Sequence, residues 1–258
     1  MKCPKCQMVQ PDGSTECLRC GIVFEKYLAR QRSLPERPAA ADEPGSPAIT
    51  EDAPGNGAAF LRGLLFSVDP EANVFCVIGR IIVFLFIVVW GLKFMFEPMA
   101  GGYAGRSFMH LVNLPFHEAG HVLFRPFGQF IMMAGGSLMQ VLVPFICLLA
   151  FLLKTRDAFA ASVALWWLGE SLIDLAPYVN DARELKMILL GGVTGRDVQD
   201  YHDWEFILRK LGMLEYDHTL AYAAKIIGTI LMLCTFAWGG FLLYRQIRNS
   251  FSSPDPGG

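Results

Sequence analysis

Two histidines four residues apart, with a glutamate beside the first, stand at His117-Glu118-Ala119-Gly120-His121 inside an apolar run from about Ser107 to Phe124. On a helix this spacing puts both imidazoles on one face, where they can grip one zinc ion, and Glu118 is then placed as general base for a water molecule. Ionisable groups at membrane depth each cost about 2.5 to 3.5 kcal/mol on insertion scales, so their presence there points to function. A catalytic zinc needs a third protein ligand and one open position. His110 and Asn113 precede His117 by seven and four residues, near the same helical face. Interhelical hydrogen bonding is their expected role, or orientation of the imidazoles from behind. A later apolar segment offers Glu170, Asp174 and Asp181 along one stripe, if its helix persists past Pro177. At least one of these carboxylates should meet the metal, and spacing alone leaves the three open. Pro115 should loosen the helix before the pentad, and Gly120 leaves room for a water or a substrate backbone.

A second set of ligands lies at the N-terminus. Four of the seven cysteines are Cys3, Cys6, Cys17 and Cys20, two C-x2-C knuckles separated by ten residues. Four thiolates suit a closed tetrahedral zinc site, and Pro4 and Gly21 supply turn chemistry around the sulfurs. A module this small has almost no core, so its metal would supply most of the folding free energy, on the order of ten kcal/mol. The segment resembles the short zinc ribbons at the start of many bacterial proteins, which makes this a structural zinc and leaves any protein partner of the ribbon unnamed.

The elements that must position these groups are apolar. The chain has 258 residues, 53% hydrophobic and 18% charged, the balance of a membrane protein with small polar attachments. Its net charge of -2 and scattered basic residues give no basis for a nucleic-acid partner. No secretory signal opens the chain, so its start is expected in the cytosol. Residues 1–30 form the ribbon and the Pro- and Ala-rich stretch 31–59 a disordered linker. A membrane-embedded domain covers 60–248 and a flexible tail 249–258. The short run Phe60–Phe66 is expected to lie along the membrane surface.

Five spanning helices are expected, at about Val74–Phe96, Ser107–Phe124, Phe130–Leu153, Ala158–Val179 and Leu220–Tyr244, making an all-α polytopic membrane protein in the lipid bilayer. Alternation from a cytosolic start brings the pentad and the acidic cluster to the same side as the ribbon, facing the cytosol. Arg245 and Arg248 then fall outside, against the positive-inside rule. The polar loop from Asp181 to Thr219 carries His202-Asp203-Trp204, a solvated pair that could otherwise serve the mouth of the site.

The pentad resembles that of the site-2 protease family of intramembrane zinc metalloproteases, which carry His-Glu-x-x-His on one membrane helix and a metal-binding Asp on a later one. Two further stretches are similar. Met133 to Gln140 (MAGGSLMQ) resembles the family's Ala-Gly-Pro-x-x-Asn segment, with Gly136 in place of proline. Ser171 to Arg183 resembles its Asn-x-x-Pro...Leu-Asp-Gly stretch, with Ser171, Asp174 and Ala182 departing from the pattern. The match covers about Phe108 to Arg183. It implies Asp181 as third ligand, with Asp174 the alternative, and it implies an endopeptidase cleaving a membrane-spanning or membrane-proximal protein; a bacterial inner membrane is the expected location. Gly135 and Gly136 would then offer backbone partners to an unwound substrate. The competing reading is an inactive zinc-binding scaffold that recruits a partner through its ribbon; Glu118 has no use in such a protein. Zinc transport would spread polar positions over several helices, whereas here they gather on two.

Overall fold

The computed structural model describes residues 1, 3–4, 11, 13–17, 22–32, 57–68, 73–99 and 102–252. The chain divides into two compact units, Met1–Ala53 and Pro54–Gly258. In the first, Cys3 and Cys17 are buried together with Phe24, and Ile22 packs against them. The chain reverses between Glu16 and Val23, which pair as an antiparallel bridge, with Cys17 N–H donating to Ile22 O at 2.9 Å. Helix α1 (Phe24–Arg32) follows. Cys6, Cys20 and most of the expected linker lie outside the described residues.

The second unit is a helical bundle, without a β-strand among its described residues. Helix α2 (Gly57–Phe66) buries Leu64 against Leu152 and Ala161, and its last carbonyls accept from Trp238 Nε1 and Arg245 Nη1. It therefore packs against the end of the bundle. Four helices are long and apolar enough to cross a membrane: α3 (Val74–Phe96), α5 (Gln129–Ala150, prolonged by a π turn to Thr155), α6 (Ala158–Asn180) and α8 (Asp217–Ser252). The pentad helix α4 (Phe108–Phe124) has 17 residues and is not among them. At 1.5 Å per residue it covers about 25 Å, short of a 30 Å hydrocarbon core. The expectation of five spans is corrected to four.

Local chemistry sets the helix ends. Asn73, Ser107 and Asp157 each accept a first-turn amide with the side chain, capping α3, α4 and α6. Gly128, at φ 94°, makes the reversal from α4 into α5.

Helix α6 is the axis. Most of its apolar window is buried (72%), against 17% for α3. It packs along α8, and the two backbones meet at Gly169 and Gly228. A Cβ on Gly169 would lie 2.8 Å from Gly228 O, and one on Gly228 would lie 2.5 Å from Gly169 O. The outer faces of α3 and α8 expose Phe75, Ile82, Phe86, Val89, Ile226, Ile230 and Leu233, as a lipid-facing surface should.

Arg80 near the start of α3 reaches Asp157 at the start of α6 (2.9 Å) and Gln246 near the end of α8 (3.0 Å). At the other end, Lys225 of α8 donates to Glu97 O just beyond α3. The four long helices thus alternate, so the start of α3 and the end of α8 share one end of the bundle. Arg245 and Arg248 lie at the end where α3 begins, whereas five crossings would have put them on the other side. Tyr178, which meets the pentad, belongs to the last turn of α6, at the opposite end. The expected placement of the site on the side where the chain enters the membrane is corrected accordingly.

Replacing Gly228 with valine drives a branched side chain into the Gly169 carbonyl. Overpacking of this kind costs ~1–3 kcal/mol. The variant should unfold several degrees below wild type in a detergent thermal melt followed by circular dichroism.

Candidate metal centre

The pentad faces α5 because small residues allow it. Gly120 and Gly135 touch backbone to backbone: a Cβ on Gly120 would lie 2.1 Å from Gly135 O. One residue further along α5, a Cβ on Gly136 would lie 2.5 Å from His117 Nε2 and 2.6 Å from His121 Nε2. Position 136 therefore needs glycine for space, since any side chain would occupy the gap between the two imidazoles. Two expectations change here. Gly120 is filled by the neighbouring helix and leaves no room for a substrate. Gly135 and Gly136 are buried within α5, their backbones committed to the helix, so they are corrected from substrate partners to packing residues.

Both imidazoles are held with Nε2 turned inward. His121 Nδ1 donates to Met132 O at 2.8 Å. Gln140 Nε2 donates to Asp174 Oδ2 at 3.0 Å, which turns its Oε1 toward His117 Nδ1 at 3.1 Å. A carboxylate only accepts, so the amide orientation is fixed, and His117 must carry its proton on Nδ1. In each ring the Nε2 lone pair is left for a metal.

The third group comes from beyond the membrane helices. Helix α7 (Asp203–Leu211) begins with Asp203, whose Oδ2 lies 3.0 Å from His117 Nε2 and 3.2 Å from His121 Nε2. The three ligand atoms lie within 4.8 Å of one another, and among the described residues they are the group able to hold a metal. Ligands 2.0–2.2 Å from a tetrahedral zinc stand about 3.4 Å apart, so the donor set and its spacing fit that ion. Burial alone would push the Asp203 carboxyl up; without a metal, His117 and His121 protonated at both ring nitrogens donate to it from Nε2, outweigh burial and hold the group below the usual aspartate value.

Helix α7 is docked by specific contacts. Asp203 N–H donates to Tyr178 Oη (2.9 Å) and Trp204 Nε1 to Ser137 Oγ (3.1 Å), while Phe206, Ile207 and Leu208 are buried. His202 caps the helix, accepting from Glu205 N–H, and stacks on Tyr178 with ring centroids 4.3 Å apart.

Asp181 does not join the metal cluster. Its oxygens accept Lys186 N–H (3.0 Å) and Met187 N–H (2.8 Å), and His202 Nε2 lies 3.6 Å away. Burial raises its pKa, but His202 and these amides more than offset this and lower it. The carboxylate closes the turn after α6, so the expected third position beside the two histidines is taken by Asp203 and not by Asp181. Asp174, the alternative, stands behind Gln140 and accepts from His110 and Asn113 as well. Asn113 also donates to Glu170 Oε2 (2.8 Å) and accepts from Trp167 Nε1 (2.9 Å), filling the interhelical hydrogen-bonding role expected of it.

His117, Glu118, His121 and Asp203 line one cavity of about 510 Å³. Its other walls are mostly apolar, including Leu114, Met132, Met133, Leu175 and Ile188, and they contain no Lys or Arg. The Glu118 carboxylate makes no hydrogen bond or ion pair with another described residue. Comparison with known proteins finds no matching family model, no matching curated protein and no matching solved structure.

In zinc analysis of detergent-purified protein, Asp203→Ala should lose about one metal equivalent per chain relative to wild type, while Asp181→Asn keeps it. Gln140→Leu should weaken binding by about 10–100-fold, as expected for loss of a group that orients a ligating histidine. Chelator competition measures the difference.

Proposed function

We propose that the chain is a membrane-embedded zinc endopeptidase acting on a membrane-spanning or membrane-proximal protein, of the site-2 protease kind that its pentad resembles. The observation that carries this reading is the convergence of His117, His121 and Asp203 beside an unpaired Glu118 in one apolar-walled cavity. His117, His121 and Asp203 would hold the catalytic zinc. When bound, zinc polarises a peptide carbonyl and brings the pKa of water toward neutrality. Glu118 takes the proton of the attacking water and returns it to the leaving amine as the C–N bond breaks. Its lack of a partner suits a group that must change protonation twice in each turnover. Gln140 and the Met132 carbonyl keep the imidazoles from turning, and Tyr178 holds the start of α7 in place. The apolar walls suit residues from an unwound membrane segment and exclude the bulk water that would compete for the site.

A structural zinc on Cys3, Cys6, Cys17 and Cys20 completes the metal content under this reading. The joint burial of Cys3 and Cys17 supports it.

Glu118→Gln separates chemistry from metal binding. With a membrane-segment peptide presented in detergent micelles, the variant should lose about 10²–10⁴-fold in cleavage rate while keeping wild-type zinc. Wild-type protein stripped by a chelator should lose cleavage and regain it on zinc addition. Zinc-loaded wild type that cleaves none of a broad panel of apolar peptides, including extracted membrane proteins, would rule the endopeptidase out.

A further inference from the structure

Seven residues before His117 on α4, His110 lines the same cavity as the metal cluster. Its Nδ1 lies 3.0 and 3.2 Å from the two oxygens of Asp174. The Asp174 side chain is 2% exposed and that of His110 34%, so the carboxylate is sealed behind the ring while the ring reaches open space. A carboxylate accepts only, so Nδ1 carries a hydrogen. As an imidazolium paired with this carboxylate, the ring presents a second N–H at Nε2. Nε2 makes no hydrogen bond with any described residue. The ring lines the cavity together with groups such as Leu114, Leu175 and Gly105. A ring N–H among mostly apolar groups gains when an incoming acceptor pairs with it. With no Lys or Arg in the lining, His110 is also the one cationic candidate among the lining residues that stands apart from the metal ligands.

We propose that His110, held by Asp174, is a substrate subsite that donates a hydrogen bond to an acceptor on the peptide about three residues from the scissile bond. The distance follows from the helix. Seven residues at 1.5 Å separate His110 from His117 by about 10 Å along α4, and an extended peptide advances about 3.3 Å per residue. This inference rests on the endopeptidase reading. It adds a positional requirement to an otherwise apolar specificity, met by a backbone carbonyl or by an acidic or amide side chain. Asp174 is a positioning residue for it, while Gln140 links the same carboxylate to His117.

The test uses full-length, zinc-loaded protein and internally quenched apolar peptides in micelles, with Ala, Asn or Asp placed singly at each position up to four residues on either side of the cleaved bond. Wild type, His110→Ala and His110→Gln are compared, the glutamine amide carrying an N–H where Nε2 was. His110→Ala should raise KM about tenfold with kcat and zinc content unchanged, and His110→Gln should recover most of that loss. A loss on every peptide assigns the acceptor to the backbone; a loss confined to Asn or Asp at one position assigns it to a side chain. Equal KM for wild type and His110→Ala, or a loss that glutamine does not restore, overturns the subsite. Absence of cleavage by zinc-loaded wild type instead overturns the endopeptidase reading, so the two failures are distinct.

Discussion

A carboxylate about two turns inside an apolar bundle must collect donors or take up a proton, and Asp174 collects three: the His110 ring, the Asn113 amide and the Gln140 amide. Each donor comes from a helix packed on α6, so satisfying this one group fixes the rotation of α4 and α5 about their own axes. The chain of contacts then runs outward from Asp174 through Gln140 to His117. The direction in which a candidate ligand points is settled by a group outside the candidate cluster. Glu170, fully buried one turn deeper, shows the limit of the arrangement, since Asn113 meets only one of its oxygens and Oε1 has no partner.

Close approach is the second constraint. Where α4 crosses α5 and where α6 crosses α8, the contact is backbone against backbone at paired glycines. Apolar side chains gain little from burial against one another when lipid is the alternative, so helices in a bilayer associate through van der Waals fit and hydrogen bonds. Shortening the distance between α4 and α5 also brings both imidazoles over position 136. The same small residues thus serve packing and ligation.

The helical class, the pentad on one helix face and the polar stripe on α6 were legible because each is a short-range periodic pattern. The crossing number was not, because hydropathy marks α4 as apolar without showing that 17 residues end short of the far side. The place of Asp203 in the candidate cluster was missed for a related reason. Asp203 lies in a polar stretch where an acidic residue carries no insertion penalty and so no signal, whereas Asp181 ended an apolar helix and matched a motif by resemblance. Two clues favoured Asp203: its neighbours His202 and Trp204 are unusual together in a solvated loop, and the amphipathic turn after them, with Phe206, Ile207 and Leu208, announces a helix that must dock somewhere. The departures at Ser171, Asp174 and Ala182 were, in turn, a warning against Asp181, whose carboxylate is spent on the amides of its own turn.

Two ligands sit on a helix clamped by the bundle, and the third begins a nine-residue helix tethered by loops on both sides. A metal held by these three groups would act as a staple across the long loop between α6 and α7, and part of its binding free energy would go into docking α7. By linkage, stabilising the docked helix would tighten the metal only to the extent that α7 is undocked without it. Release of such an ion would then involve the lifting of α7, which must break the packing of Trp204, Phe206 and Leu208 as well as the histidine bonds.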